Sequence, residues 1–190
     1  MSVTVFTWDM FNGGKYNGVG HSSLHVHGPE GNIYISFWPA KHAVREALSS
    51  VGNVHSMSGD KAEDGQPSWA SKPLKNLDER KIIKFWNEFD PNSALDYKGA
   101  TSKNVTKVNA GGKTYNILFS QCSTTVVAAL LTGADQETRN SIITWFALNA
   151  GSNIDFAGIR SVQRFVPIPR IPTVTPADVR ELVKEVWKDF

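Results

Sequence analysis

Residues 20–39, GHSSLHVHGPEGNIYISFWP, constrain the fold more than any other stretch of the chain. Two runs rich in β-branched, aromatic and small polar residues flank the turn signal Gly28-Pro29-Glu30-Gly31. That pattern predicts a hairpin, with one strand over Gly20–His27 and its return over Asn32–Trp38, stopped by Pro39. Side chains alternate across a strand, so His21, Ser23, His25 and His27 share one face and Ser22, Leu24 and Val26 the other. A turn centred on Pro29 and Glu30 sets Ser36 and Trp38 opposite Ser23 and His21, with Tyr34 on the same face.

Around this hairpin the chain alternates strand and helix signals. Val3–Trp8 reads as a strand, and the glycine-punctuated NGGKYNGVG over 12–20 as a loop. Residues 40–50 have helical spacing, with Ala43, Val44, Ala47 and Leu48 on one side. Residues 52–75 are polar and rich in Gly, Ser, Asp and Lys, which reads as a loop with one short strand at most. Asn76 is the expected cap of a helix whose apolar face is Ile82, Ile83, Phe85, Trp86 and Phe89, stopped at Asp90-Pro91. Residues 96–112 read as loop and Thr114–Phe119 as a strand. A helix is expected from Cys122 to Thr132 with Gly133 as its terminator, and another from Asp135 to Asn149. Phe165–Thr173 (FVPIPRIPT) is proline-spaced and extended. Thr175-Pro176-Ala177-Asp178 is a strong start for a last helix reaching Trp187. The fold class is α+β. The whole of 1–190 reads as one domain, with 165–190 as a proline-spaced extension and terminal helix.

Composition narrows the function classes. A chain of 190 residues that is 41% hydrophobic can bury a true core. The apolar run Val126–Leu131 is too short to cross a bilayer, so no transmembrane segment is expected. The first residues, MSVTVFTWDMFNGG, lack the basic-then-apolar order of a Sec signal, which implies cytoplasmic synthesis and, where the protein is exported, another route. A net charge of +2 without a Lys/Arg block gives no reason to expect nucleic acid as a partner. The single cysteine excludes an intrachain disulfide framework and any multi-cysteine zinc site.

That cysteine stands at a chemically informative place. The order YNILF, then SQ, then CSTTVVAALLTG puts Cys122 where a strand gives way to an apolar helix. Unpaired amides and the macrodipole at a helix start favour a thiolate, and the same amides can hold an oxyanion. Ser120, Gln121, Ser123, Thr124 and Thr125 crowd the point. The plainer alternative is a small buried hydrophobe under the sheet. A thiolate nucleophile needs a base, and His21, directly after the glycine-rich loop, is the best placed of the five histidines. His25 and His27 approach the turn and read as solvated; His42 and His55 read as surface residues. Ser36 across the hairpin can orient the His21 ring, and Asp9 at the end of the first strand is the other candidate. Trp8 and Trp38 are either core or the lining of an apolar substrate cleft. A metal site of His21, His25 and His27 is the competing use of this face, without an acidic partner nearby.

At GHSSLHV, YISFWP and SQCSTTVVAALLTGA the sequence resembles the circularly permuted branch of the papain-like superfamily, in which the histidine strand precedes the cysteine helix. That branch includes permuted NlpC-type endopeptidases, lecithin:retinol acyltransferase-like proteins and bacterial toxin domains. The pattern is especially similar to domains of type VI secretion effectors. The resemblance covers about Gly20–Trp38 and Tyr115–Ala134. It implies an antiparallel sheet packed on the cysteine-bearing helix, Cys122 as nucleophile, His21 as base and Ser36 at the third polar position. Gln121, Ser123 and Trp38 fall where oxyanion and substrate contacts are made. Many relatives have Asn at the position of Gln121, and their orienting residue is often His or an acid. The resemblance further implies amide hydrolysis without a cofactor, a peptide or protein substrate, export by a dedicated secretion system and an immunity protein as partner. Acyl transfer or deamidation by the same thiol, and a non-catalytic binding module on the same scaffold, are the alternatives.

Overall fold

The computed structural model describes residues 2–9, 20–28, 31–39, 50–89, 107–115, 122–149 and 174–188. The expected helix over 40–49, the loop over 12–19, the stretch 90–106 and the proline-spaced 165–173 lie outside the described residues. Within them the chain is α+β. One sheet has four strands in the order β3-β2-β1-β6, built from β1 (Ser2–Trp8), β2 (His21–Gly28), β3 (Gly31–Ile35) and β6 (Trp69–Ala70), all antiparallel. A second sheet has the order β4-β5-β7, from β4 (Phe37–Pro39), β5 (Ser50–His55) and β7 (Lys107–Tyr115). The helices are α1 (Met57–Asp64), α2 (Glu79–Phe89), α3 (Cys122–Gly133), α4 (Gln136–Asn149) and α5 (Pro176–Val186).

The hairpin forms with the expected register, Leu24 facing Ile35 and Gly28 facing Gly31. Its second strand differs from the expectation of one run to Trp38. The ladder stops at Ile35, Ser36 stands between strands, and Phe37–Pro39 pairs instead with Val54–Gly52 of β5. The chain therefore passes from one sheet to the other at Ser36.

Helix α3 is the centre of the core. Val126 to Leu131 are all buried, and a helix apolar on every side must be enclosed. Leu24 and Val26 of β2 with Val3 and Val5 of β1 belong to the same apolar cluster, as do Ile82, Phe85 and Trp86 of α2 and Val179, Leu182 and Val183 of α5. Strand β2 and helices α2 and α5 all pack on α3. Helix α5 begins as expected: Thr175 caps it in a reciprocal box with Asp178, and Pro176 takes the first turn.

Several expectations shift. Asn76 has a left-handed backbone, φ 60°, and the cap of α2 is Asp78, whose Oδ1 accepts from Lys81 N at 3.2 Å. Residues 52–75 are not a loop: they contain most of β5, all of α1 and β6. Tertiary pairing overrides the weak local propensities there, and Ser56 caps α1 by accepting from Gly59 N at 3.1 Å. Strand β7 starts at Lys107, well before the expected Thr114, because its partner β5 extends the ladder. Asp135 caps α4 rather than joining it, its Oδ1 accepting from Thr138 N at 2.8 Å.

Gly133 is the last residue of α3, and its φ is not in the left-handed range expected of a terminator. It is needed for close approach. A Cβ there would lie 2.6 Å from Ile82 Cδ1 and Cγ1 in the fully buried side of α2. At an open helix site Gly→Ala stabilises by about 1 kcal/mol. Here Gly133→Ala is expected to destabilise by about 1–3 kcal/mol through overpacking, read as a lower urea midpoint by circular dichroism.

Candidate active site

Gly20, with φ 74°, turns the chain into β2 in a backbone conformation that side-chain-bearing residues disfavour, and so delivers His21 as the first residue of the strand. Cys122 is the first residue of α3. The two meet: hydrogen bonding from the His21 ring and from the backbone N–H of Ser22 favours the anionic form of Cys122, and Ser123 Oγ lies 3.9 Å from the sulfur. Both residues are buried, Cys122 at 2% exposure and His21 at 1%.

Nε2 of His21 is turned the other way, 3.1 Å from Asp60 Oδ2 and 3.0 Å from Ser36 Oγ. That leaves Nδ1 for the thiol. Asp60, in the first turn of α1, is fully buried. Its Oδ2 also accepts from Tyr34 OH at 2.6 Å, and its Oδ1 accepts from Ser36 Oγ at 2.9 Å and Trp38 Nε1 at 2.8 Å. His55 Nδ1 lies 3.4 Å from Oδ1. Because the Tyr34 proton goes to the carboxylate, Ser23 Oγ, 2.6 Å away, donates to the Tyr34 oxygen. The His21 ring sits between two indoles, its centroid 5.3 Å from Trp8 and 4.4 Å from Trp38.

Charge follows from this packing. Burial works against a charged His21, yet the Asp60 carboxylate and the Cys122 thiolate together push its pKa up to about 10. Burial also opposes charge on Asp60, and the charge and hydrogen bond of His21, with Tyr34 OH bonded and His55 close by, hold its carboxyl well below the usual range. For Cys122, burial is outweighed by the His21 charge, then by the hydrogen bonds of His21, Ser22 N–H and Ser123, and the thiol pKa falls. The packing thus favours charge on all three groups in the order sulfur, imidazole, carboxylate, the order of groups used in nucleophilic catalysis.

The structure thus brings together Cys122, His21, Ser36 and Trp38 from the sequence-derived set. Ser123 is fully buried with its hydroxyl 3.0 Å from Ser22 Oγ, beneath the sulfur. Gln121 and His42 lie outside the described residues. Three expectations are corrected. Asp9 does not orient His21, because its carboxylate pairs with Arg180 Nη1 of α5 at 2.9 Å. His55 is not a surface residue: β5 carries it to the seam of the two sheets, where it is fully buried and stacked on Trp38 at 4.9 Å and 15°. His25 is half-buried rather than solvated; burial, then the neighbouring His27, lowers its pKa to about 4, and its ring lies 3.9 Å from that of His27. Trp8 and Trp38 are buried against the His21 ring.

Asp60 is the residue that sequence reasoning missed. It sits in SMSGDKAEDG, a stretch without hydrophobic period, where a buried carboxylate looks like any solvated one. The one local signal is Ser56 as a helix cap, which puts Asp60 in a first turn where the macrodipole favours an anion. Comparison of the chain with family models, with curated proteins and with solved structures gives no match. Among the described residues no group of three potential ligands is arranged to hold a metal ion, and no helix is long and apolar enough to cross a membrane.

The pH dependence of stability has a definite sign. The folded pKa of His21 stands above its ordinary 6.5, so its contribution is complete below 6.5 and is lost as the pH rises toward about 10. Asp60 stands below its ordinary 3.8, so its contribution is present above 3.8 and is lost as the pH falls further. The urea midpoint is therefore expected to be highest between these limits. Asp60→Asn at pH 5.5 is expected to cost about 3–5 kcal/mol, because it leaves a buried charge uncompensated.

Proposed function

We propose that the chain is a papain-like cysteine hydrolase of permuted order, with Cys122 as nucleophile, His21 as base and Asp60 as the residue that orients His21. The observation that carries this reading is the hydrogen-bonded sequence Cys122–His21–Asp60, assembled from α3, β2 and α1. Ser36, at the third polar position of the resemblance, bonds both His21 and Asp60, so it assists the carboxylate in setting the ring.

The reaction is cleavage of an amide in a peptide or protein. The Cys122 thiolate attacks the carbonyl carbon, forming a C–S bond and an oxyanion that the first-turn amides of α3 can hold, with Gln121 as a further donor. As the C–N bond breaks, imidazolium His21 gives its proton to the leaving amine. Water then adds to the thioester, His21 takes its proton, and rupture of the C–S bond releases the acid and restores the thiolate. Asp60 keeps Nε2 engaged throughout, so that Nδ1 faces the sulfur. Transfer of the acyl group to an amine shares this intermediate and differs only in the acceptor. The resemblance to secreted toxin domains adds a target-cell substrate, export from the producing cell and an immunity partner to the proposal.

One observation favours a non-catalytic rival: Cys122 is only 2% exposed. The two readings separate in the rate of Cys122 alkylation by iodoacetamide across pH. The hydrolase reading expects a thiol pKa well under the free value of about 8.5, and a rise toward that value in His21→Ala. A slow reaction with ordinary pH dependence, unchanged in His21→Ala, would leave a structural cysteine and a binding module. Incubation of the wild type and Cys122→Ala with cell-wall peptides, followed by mass spectrometry, then tests cleavage directly.

A further inference from the structure

Beyond the nucleophile, its base and Asp60, the site contains a second buried histidine that the reaction does not use. His55 closes β5, is fully buried, and holds Nδ1 3.4 Å from Asp60 Oδ1. Its ring lies nearly parallel to Trp38, 4.9 Å away at 15°, and Trp38 in turn lies 4.4 Å from the ring of His21. The three rings form one pile, His21–Trp38–His55, along the side of the carboxylate. Packing alone does not call for a histidine here, since burying an imidazole has a desolvation cost that a leucine of similar bulk avoids.

The donors around Asp60 are divided by oxygen. Oδ2 serves His21 and Tyr34; Oδ1 serves Ser36 and Trp38, with His55 beside it. A carboxylate can turn about its Cβ–Cγ bond, and a turn would take Oδ2 away from His21. His55 is carried by β5 of the second sheet, whereas Tyr34 lies on the hairpin, Ser36 at the corner that follows it, and Trp38 on β4, the neighbour of β5 in that second sheet. Its backbone N also donates to Ser36 O at 3.3 Å, which ties that sheet to the corner carrying the Ser36 hydroxyl.

We infer that His55 is a positioning residue, which fixes Asp60 through Oδ1 and through the Trp38 indole so that Oδ2 is presented to His21. The inference rests on the reading of Cys122 and His21 as a reactive pair. Its effect passes from His55 through Asp60 to His21 and so to the thiolate.

The test uses the full chain and iodoacetamide, with second-order alkylation rates of Cys122 followed by intact mass from pH 4 to 10. Circular dichroism and urea midpoints establish that each variant is folded. His55→Leu is expected to raise the thiol pKa and to slow alkylation at pH 6 about tenfold, the change in thiolate fraction for one unit of thiol pKa. His55→Asn places an amide N–H where Nδ1 stood and is expected to stay within about threefold of the wild type. His55→Gln carries its amide one bond further out and is expected to behave like Leu. A wild-type profile in His55→Leu overturns the inference, and so do equal rates in His55→Asn and His55→Gln; the latter comparison decides if the Leu variant does not fold. An ordinary thiol in the wild type, indifferent to His21→Ala, removes the reactive pair itself and is distinguishable from either result.

Discussion

The carboxylate of Asp60 is the point on which the arrangement depends. An ion taken out of water must recover its lost hydration from fixed donors, and here they come from β2, β3, β4 and the residue between the last two, with β5 alongside. Each donor is thereby located relative to the others. The helix that carries Asp60 is short, and Ser56 and the dipole at its start favour the anion as well. The charged carboxylate raises the pKa of His21, and a charged His21 lowers that of the sulfur. The chain of causes runs from a buried negative charge to the thiol.

The donors and charges of such a site are organised in the fold itself. Buried donors and charges that need not reorganise act more strongly than the same groups in water. The same burial makes the site intolerant of partial change. Removing one partner leaves another without compensation, so substitutions around Asp60 act on the ensemble of contacts rather than on single bonds.

Much of this was legible in the residues. The alternation of GHSSLHV and the turn GPEG fix the hairpin and put His21 beside Ser36 and Trp38, and the junction SQCST places the thiol at a helix start. Thr175-Pro176 marks α5 because its capping chemistry is local. What escaped is what depends on distant pairing. Residues 50–64 carry little hydrophobic period, yet they form a strand and a helix because β4 and β7 pair with the one and the seam between sheets receives the other. His55 and Asp60, polar and adjacent to glycines and serines, are indistinguishable from solvated residues until that pairing exists. The strand break at Ser36 is likewise invisible, since nothing in YISFWP announces a change of sheet.

One arrangement in the chain bears on the life of the protein before it is folded. The base, its carboxylate and the ring pile all lie between His21 and Asp60, whereas the sulfur belongs to a helix that starts at Cys122. A free cysteine in an open chain is mostly protonated at neutral pH and correspondingly slow to oxidise or to attack. The groups that lower the Cys122 pKa come within reach only when the later helix docks against the earlier hairpin. Before that docking the chain therefore carries an ordinary thiol, and the shift in its pKa comes with the completed tertiary structure.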